Sequence, residues 1–536
     1  MAKIAKLEIA NSLWRAADAI RGSIDSSEFG QFLLPLVFYK YLSDQELTYV
    51  LEIMERPTDT LRNAQKSFEI LCKDEDTKKV ILKKIQEKLG YTIEPKFTFM
   101  AHIQAIEEGD FQTAELDMSL QTIQNSNEGF MGIFEGIDLL SKKFGYTLQS
   151  NYKIFSEVLQ SLSSIGNMTE YTQKELGDSF EELIDSIASD AGRKSGEFYT
   201  PQSITKVLTQ IALEGKKTQP KLSVYDPTMG SGSLLLSAQQ YFHDPNSITF
   251  YGQELNVSTY NLARMNMFFH GVPLEKQVLH TGDTLGWDWP TEDQTEFDAV
   301  LMNPPYSVKW SAEEEYLNDP RFKDYGVLAP KSKADYTFLL HGYHHLNDSG
   351  TMTIILPHGV LFRGGSEGKI RQTLLEMGAI DAIIGLPSNL LYATPIPTVI
   401  IVLKKNRSNK DVLFIDASQH FEKERNLSKL TEKHIEAILD SYKSRKNKPK
   451  YAHIATFEEI VEKDYNLNIP RYIDTFEEEE ISLERLADSI KDTRQELNIV
   501  EEELTAILQN LPVVNKELDE DLANFIKRGM GSHNAF

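Results

Sequence analysis

One stretch in the middle of the chain joins a short apolar run, an acidic residue and a glycine-rich turn. The run Leu222–Asp226 ends on a carboxylate, Gly230 and Gly232 follow, and a second apolar run begins at Leu234. A buried strand that passes through a glycine turn into a helix is the first β-α unit of a nucleotide-type fold. The sequence therefore predicts an α/β fold whose ligand site lies at the carboxyl ends of the strands.

The composition of this turn disfavours two common ligand classes. No Gly-Lys-Ser or Gly-Lys-Thr follows it, which disfavours a triphosphate-binding P-loop. The glycines also lack the full G-x-G-x-x-G spacing, and Asp226 would repel a pyrophosphate, so a dinucleotide is disfavoured as well. A cationic or zwitterionic ligand fits the turn better.

Two further acids follow the next predicted strands. Glu254 ends the run that begins at Ile248, about 20 residues beyond the turn, where an acid can bind both hydroxyls of a ribose. Asp283 follows the run Val278 to His280 and can accept from an adenine amino group. Each acid alone is more often a helix N-cap or a solvated loop residue. Three acids at successive strand ends predict a pocket for S-adenosylmethionine.

The four residues Asn303, Pro304, Pro305 and Tyr306 directly follow the predicted strand Phe297–Met302. The Asn303 amide oxygen and the Pro304 carbonyl can both accept from one planar amino group, because prolines keep the backbone extended and donate no hydrogen bonds. Tyr306 can then stack on the ring that carries the amino group. The alternative is a plain strand-terminating turn, in which Asn and Pro are common.

The order of these motifs resembles that of the S-adenosylmethionine-dependent amino-methyltransferases of DNA. Four more segments resemble the modification subunits of type I restriction-modification systems in particular. These segments are 13–44, 196–202, 357–365 and 468–473. The motifs occur in family order and cover nearly the whole chain.

The resemblance implies a fold, a domain division and a reaction. The fold is a Rossmann-like S-adenosylmethionine-dependent methyltransferase sheet with an all-α amino-terminal domain and a coiled-coil-like helical tail. The domains are 1–165 (helical), 166–475 (N6-adenine methyltransferase) and 476–536 (subunit assembly). The reaction is methyl transfer from S-adenosyl-L-methionine to the N6 amino group of an adenine flipped out of DNA. A separate specificity subunit reads the target, with two modification chains for each specificity chain, and a restriction or translocase subunit is a further partner.

The resemblance also assigns roles to residues. The catalytic group consists of Asn303, Pro304, Pro305 and Tyr306, and the flipped base stacks between Tyr306 and Phe362, although Phe362 could equally be a core aromatic. The segment 196–202 closes over the methionine part of the cofactor. The cofactor-binding residues are Glu197, Phe198, Tyr199, Thr200, Pro201, Gln202, Asp226, Gly230, Ser231, Gly232, Glu254, Asp283 and Asn303.

The overall charge constrains how such a chain can bind DNA. With 56 basic and 80 acidic residues its formal charge is −24, which opposes strong autonomous binding to phosphates. A partner is therefore expected to supply DNA affinity. The single cysteine, Cys72, excludes a disulfide framework and a cysteine-based zinc site, and no metal is expected. No signal peptide or membrane-spanning run is found, so the sequence predicts a cytoplasmic protein with no membrane partner.

A heptad pattern follows the acidic run Glu477 to Glu480. Apolar residues recur every seven positions, with a second set between them: Leu483, Ile490, Leu497, Leu504 and Leu511, then Leu486, Thr493, Val500 and Ile507. This spacing predicts one helix with a narrow apolar seam. The seam can pack on the body of the same chain, but the resemblance favours a helix of the specificity subunit.

Three other functions remain open. A protein-glutamine N-methyltransferase also binds a planar amino group with Asn-Pro-Pro-Tyr, but the helical amino-terminal domain and residues 197–201 oppose it. A cytosine-N4 DNA methyltransferase more often carries Ser or Asp at the position of Asn303. A non-catalytic scaffold is opposed by intact residues at every motif.

Overall fold

The computed structural model describes residues 11–12, 14–20, 28–144, 147–191, 200–286, 289–291, 294–391, 394–424, 427–474 and 483–509. The chain divides into two compact units, Met1–Asp474 and Thr475–Phe536. The first unit contains a helical layer and a mixed sheet, and the described part of the second is one helix.

The amino-terminal part of the first unit is helical, as predicted. Its main helices are α1 (Phe29–Ile53), α2 (Leu61–Leu71), α3 (Glu75–Leu89), α4 (Phe99–Glu108), α5 (Thr113–Gln124), α6 (Leu148–Ser163) and α7 (Gln173–Ala191). The N-caps Thr60, Asp74 and Thr98 each accept a backbone N–H of the first turn that would otherwise lack a partner. Helix α1 is the centre of the bundle, because both its apolar residues and the ion pair Lys40–Asp44 are buried.

Within the described ranges, nine strands form one sheet. They are β1 (Leu222–Asp226), β2 (Ile248–Glu254), β3 (Gln277–Thr281), β4 (Phe297–Met302), β5 (Leu346–Pro357), β6 (Ile380–Gly385), β7 (Thr398–Lys404), β8 (Val412–Asp416) and β11 (Ala452–Ala455). The short strands β9 (Glu422–Glu424) and β10 (Leu427–Lys429) pair separately. The order across the sheet is β3-β2-β1-β4-β5-β7-β6-β8-β11. Strand β7 is antiparallel to β5 and β6, β11 is antiparallel to β8, and the remaining pairs are parallel.

This topology confirms the predicted α/β, Rossmann-like class. The strand order reverses between β1 and β4, which creates a crevice at their carboxyl ends. Strands β8 and β11 extend the sheet beyond the strands that the sequence predicted. They were missed because their identity as strands depends on pairing with β6 and with each other, which the sequence alone does not show.

Helices cover both faces of the sheet. They are α8 (Gln202–Ala212), α9 (Ser233–Leu236), α10 (Val257–Phe269), α11 (Asp335–His344), α12 (Gly365–Glu376), α13 (Glu432–Ser444) and α14 (Phe457–Glu462). Alternate residues of a central strand enter different cores: Val224 packs in the core that includes α8 and α13, whereas Tyr225 packs in the core that includes α11 and α12.

Helix α10 joins the helical layer to the sheet. Its residues Met265 and Phe269 belong to the amino-terminal core. Arg264, also on α10, donates to the carbonyls of Met131 and Gly129 at 2.9 and 2.7 Å. The helical layer therefore packs directly beside the strands that carry the glycine turn.

The second unit contains α15, Leu483–Gln509. The predicted seam residues Ile490, Leu497, Val500, Leu504 and Ile507 are all exposed. Leu511 lies outside the described residues. Among the helices in the described ranges, none combines the length and apolar character needed to cross a membrane.

Candidate active site

The glycine turn, residues 227–232, lies against the end of β2. Gly230 and Gly232 have φ values of 55° and 78°, a region that favours glycine. The turn is fixed by backbone bonds, since the Met229 N–H donates to the Gln253 carbonyl at 3.0 Å. Gly252 on β2 lies beneath the turn, and its role was not predicted. A Cβ at this position would lie 2.4 Å from the Met229 sulfur. A glycine on β2 is therefore required for the turn to approach the sheet.

Asp226 ends β1 and is buried. One carboxylate oxygen accepts from the Thr228 backbone N–H at 2.9 Å and from its hydroxyl at 3.3 Å. Burial raises the pKa of Asp226 to about 7; the Thr228 bonds oppose the rise and the nearby Glu254 carboxylate adds to it. Because a bound cation would favour the ionised form, this site suits a positively charged ligand.

Glu254 ends β2 and connects to the turn. Its two oxygens accept from the backbone N–H groups of Gly230 at 3.1 Å and Asn256 at 2.9 Å. Burial raises the pKa of Glu254, and these N–H bonds act against the rise. A carboxylate has further lone pairs, so it can still accept from a ligand hydroxyl.

Asp283 is exposed in the loop after β3 and accepts from the Leu285 N–H at 2.9 Å. The buried Arg321 holds the same loop by donating to the carbonyls of Thr284 at 3.0 Å and Gly286 at 2.6 Å. Asp283 is therefore carried on a backbone whose position is set by a distant arginine. Sequence reasoning did not find Arg321, because its bonds to this loop join residues more than 30 positions apart in the chain.

A small, partly open cavity at the carboxyl ends of β1 and β4 is lined by residues from both sides of the crevice. Its lining is Thr200, Asp226, Thr228, Met229, Gly230, Ser231, Ser233, Leu234 and Asn303. Five of the predicted cofactor-binding residues are in this set. Gln202 lines a neighbouring cavity that shares Thr200 and Ser233. Pro201, Gly232, Glu254 and Asp283 do not line the cavity, although Glu254 is bonded to its rim, and Glu197, Phe198 and Tyr199 lie outside the described residues.

Asn303 extends from the end of β4 into this cavity. Its side-chain N–H donates to the Thr200 hydroxyl at 3.0 Å, and its side-chain oxygen accepts from the Tyr306 hydroxyl at 2.7 Å. Burial strongly raises the pKa of Tyr306, and the Asp335 carboxylate adds to the effect, so this hydroxyl stays protonated and remains a donor. Both polar atoms of the Asn303 amide are thus bonded within the protein.

Phe362 is the second predicted stacking residue, and its side chain is exposed by 46%. The backbone around it is nevertheless held in place. Tyr336 donates to the Val360 carbonyl at 2.8 Å, and Arg371 donates to the carbonyls of Val360 at 3.0 Å and Arg363 at 2.9 Å. The core-aromatic alternative for Phe362 is therefore wrong, since the ring faces solvent from a fixed loop.

Asn266 on α10 also supports the glycine turn and was not predicted. Its side-chain N–H group donates to the Ser231 carbonyl at 3.0 Å and to the buried Glu181 carboxylate at 2.6 Å. Neither residue stands in a recognisable motif, so the fold was needed to find them.

The fold and the site together define an amino-methyltransferase. Asp226 and the glycine turn follow β1 on one side of the crevice, and Asn-Pro-Pro-Tyr follows β4 on the other. The family model described as N-6 DNA Methylase matches residues 172–481, and that of the HsdM N-terminal domain matches residues 9–162. The chain belongs to the methylase subunits of type I restriction-modification enzymes, which methylate N6 of adenine in DNA.

Similar proteins cover nearly the whole chain. The MpnII methylase subunit of a type I restriction enzyme from Mycoplasma pneumoniae is 32% identical over 541 residues, which cover 95% of this chain and 98% of the relative. A methyltransferase subunit of a type I restriction-modification system from Streptococcus thermophilus is 50% identical, with a TM-score of 0.84 and coverage of 89% and 100%. A chain from a type I restriction-modification assembly shares the fold at 20% identity, with a TM-score of 0.60 and coverage of 94% and 99%.

Proposed function

We propose that this chain binds S-adenosyl-L-methionine in the cavity between the carboxyl ends of β1 and β4. The methyl group is there presented to an adenine held by Asn303. One observation carries this proposal. Asp226 and Gly230 of the cofactor side line the same small cavity as Asn303 of the target side. Donor and acceptor can therefore meet without a large movement of the sheet.

The residues present fit this cofactor. The described residues supply Asp226 with no basic partner, and its raised pKa indicates an acid that a cationic ligand would stabilise. Glycines in the turn leave room for close approach. Glu254 would hold the ribose hydroxyls and Asp283 the adenine amino group, while the segment Glu197–Gln202 would close over the methionine part. When bound, the cofactor supplies an electrophilic methyl group on a sulfonium.

The role of the Asn-Pro-Pro-Tyr loop follows from the chemistry of the target. The N6 amine is a poor nucleophile because its lone pair is delocalised into the ring. The Asn303 oxygen and the Pro304 carbonyl would accept both N–H groups and favour the geometry in which the lone pair faces the methyl group. No strong base is needed before attack, since the gain comes from positioning and from stabilising the positive charge that develops on nitrogen.

The target base must leave the duplex to reach this site. Tyr306 would stack on one face of the flipped adenine and Phe362 on the other. The exposure of the Phe362 ring supports this role, because its loop is fixed while the ring remains open.

The partners follow from charge and from the second unit. A chain with a formal charge of −24 repels DNA, so a specificity subunit would supply both affinity and target choice. The exposed seam of α15 would pack on a helix of that subunit, with two modification chains for each specificity chain. A restriction or translocase subunit is a further partner. We also assign assembly to residues 476–536 and catalysis to residues 166–475, with 1–165 as the helical domain.

The decisive experiment compares the isolated chain with the assembled complex. Alone, the chain should bind S-adenosylmethionine, show weak DNA affinity without sequence preference, and methylate negligibly. Adding the specificity subunit should produce N6-methyladenine at one target sequence, detected by methylome sequencing. Specific methylation by the isolated chain would refute the division of labour, and methylation of a glutamine-containing protein in place of DNA would favour the protein-glutamine alternative.

A further inference from the structure

The buried Asp335 connects two loops of the site. It begins α11, is fully buried, and uses its two oxygens on different partners. One accepts from the Ser307 backbone N–H at 2.7 Å, and the other accepts from the Arg363 Nη2 at 2.7 Å. Ser307 directly follows Tyr306, and Arg363 directly follows Phe362. A single carboxylate therefore fixes the residue next to each predicted stacking ring.

On the first side, Asp335 holds an unusual backbone conformation. Ser307 has a φ of 52°, which is costly for a residue with a Cβ. Such conformations persist where the surroundings over-determine them. The hydrogen bond from Ser307 to a buried carboxylate supplies that constraint, and it also fixes where the chain leaves Tyr306.

On the second side, Asp335 acts through Arg363. The guanidinium also donates to the buried Glu367 at 2.5 and 2.9 Å, so three charged groups form one closed network. Arg363 is then unable to turn away without leaving two buried carboxylates unpaired. The network sets the position of the loop, while the Phe362 ring makes no part of it and stays exposed.

We infer that Asp335 is a positioning residue that sets the gap between Tyr306 and Phe362, into which the target base stacks. The inference rests on the stacking roles proposed above. Asp335 touches neither ring, and it acts by holding both loops to the first turn of α11. A carboxylate suits the task because it only accepts hydrogen bonds, and both of its partners are donors.

The test uses two variants in the assembled complex. Asp335→Asn keeps one oxygen for Ser307 but presents an amide N–H group to Arg363. Arg363→Gln removes the positive charge that pairs with Asp335. With 2-aminopurine at the target position of a cognate duplex, the wild-type complex should show mainly short fluorescence lifetimes, because the flipped base is stacked. Both variants should shift the amplitude towards long lifetimes. On the same duplex with adenine at the target position, they should lower kcat by about tenfold or more, while calorimetric affinity for S-adenosylmethionine stays within twofold.

Two controls separate positioning from general damage. Asp381→Asn disrupts another buried carboxylate, which binds Arg407 and Arg445 at 3.1 and 2.9 Å, and it should leave the lifetimes unchanged. Phe362→Ala should reproduce the long lifetimes. If Phe362→Ala shifts them but neither variant of the network does, the inference is wrong and the proposed stacking survives. If Phe362→Ala has no effect on the lifetimes, the stacking role is wrong and the inference about Asp335 is wrong with it. If Asp381→Asn gives the same shift as Asp335→Asn, the inference about Asp335 is also wrong.

Discussion

The Tyr306 hydroxyl donates a 2.7 Å hydrogen bond to the side-chain oxygen of Asn303. That oxygen is the acceptor that the target amino group is proposed to use. The hydroxyl therefore competes with the amine for this oxygen, but an amide oxygen has two lone pairs and can accept from both. Base entry should cost little, because the oxygen is hydrogen-bonded before and after it.

Tyr306→Phe should consequently be a mild change. The ring that stacks is kept and only the competing donor is lost, so single-turnover methylation in the complex should stay within about threefold of wild type. Tyr306→Ala removes the stacking face, which is worth about 1–3 kcal/mol per base, and should be slower by tenfold or more. Equal losses in the two variants would show that the hydroxyl, and not the ring, is what matters.

Asn303→Ala should abolish methyl transfer while the fold and most of the cofactor affinity remain. Losing one preorganised acceptor should raise the barrier by about 3 kcal/mol or more. Transfer of a labelled methyl group in the assembled complex measures the loss, and calorimetry with S-adenosylmethionine checks the pocket. The exposed Asn318, changed to Ala, serves as a matched control. Turnover like that of wild type in Asn303→Ala would remove Asn303 from the catalytic group.

Substitutions on the other side of the cavity should act on cofactor binding. Glu254→Ala removes an acceptor that also holds the Gly230 N–H. Gly230→Asp places a side chain and a positive-φ penalty in the turn. Both should weaken binding of S-adenosylmethionine by at least tenfold in calorimetric titration. Glu254→Gln, which keeps one oxygen, should lie between them and wild type, and unchanged titrations in all three variants would overturn the pocket.

Cofactor affinity should depend on pH through Asp226. Its pKa of about 7 in the free protein means that most of the population is protonated below that pH. A cationic ligand favours the carboxylate, so it must expel a proton there, and affinity should fall as pH drops from 7 to 5.5, by at most tenfold per unit. Asp226→Asn should bind more weakly and show a flatter profile over this range. A slope as steep in Asp226→Asn as in wild type would assign the proton to another group.

Charges placed in the seam of α15 should weaken assembly. Leu497→Asp with Leu504→Asp introduces two carboxylates into a surface whose association energy comes from apolar burial. Co-purification with the specificity subunit should drop at least tenfold, while cofactor titration is unchanged. Gln495→Asp with Asn498→Asp adds the same charge away from the seam and should assemble normally. Normal assembly of the leucine double variant would mean that the seam serves another purpose.

The parts of the site that were predictable are those encoded locally. Strand, acid, glycine turn and helix are consecutive in the chain from Leu222 to Leu236, so their order alone predicts the arrangement that the structure has. The residues that support the loops of the site come from far away in the sequence. Asp335 and Arg321 act through tertiary contacts, and Gly252 is required only because Met229 packs on it. The sequence around each of these residues does not indicate its role, because the role depends on a partner elsewhere in the chain.

The pairing of β1 with β4 has a consequence for how this enzyme can vary. Tyr225 is the partner of Val300 in the parallel ladder, so Asp226 lies one residue and Asn303 three residues beyond a shared pair. Main-chain hydrogen bonds therefore fix the position of Asp226 relative to Asn303. Every residue type except proline can make both kinds of main-chain bond. Replacing a core side chain of β1 or β4 by another of similar volume should therefore leave the separation of Asp226 and Asn303 unchanged.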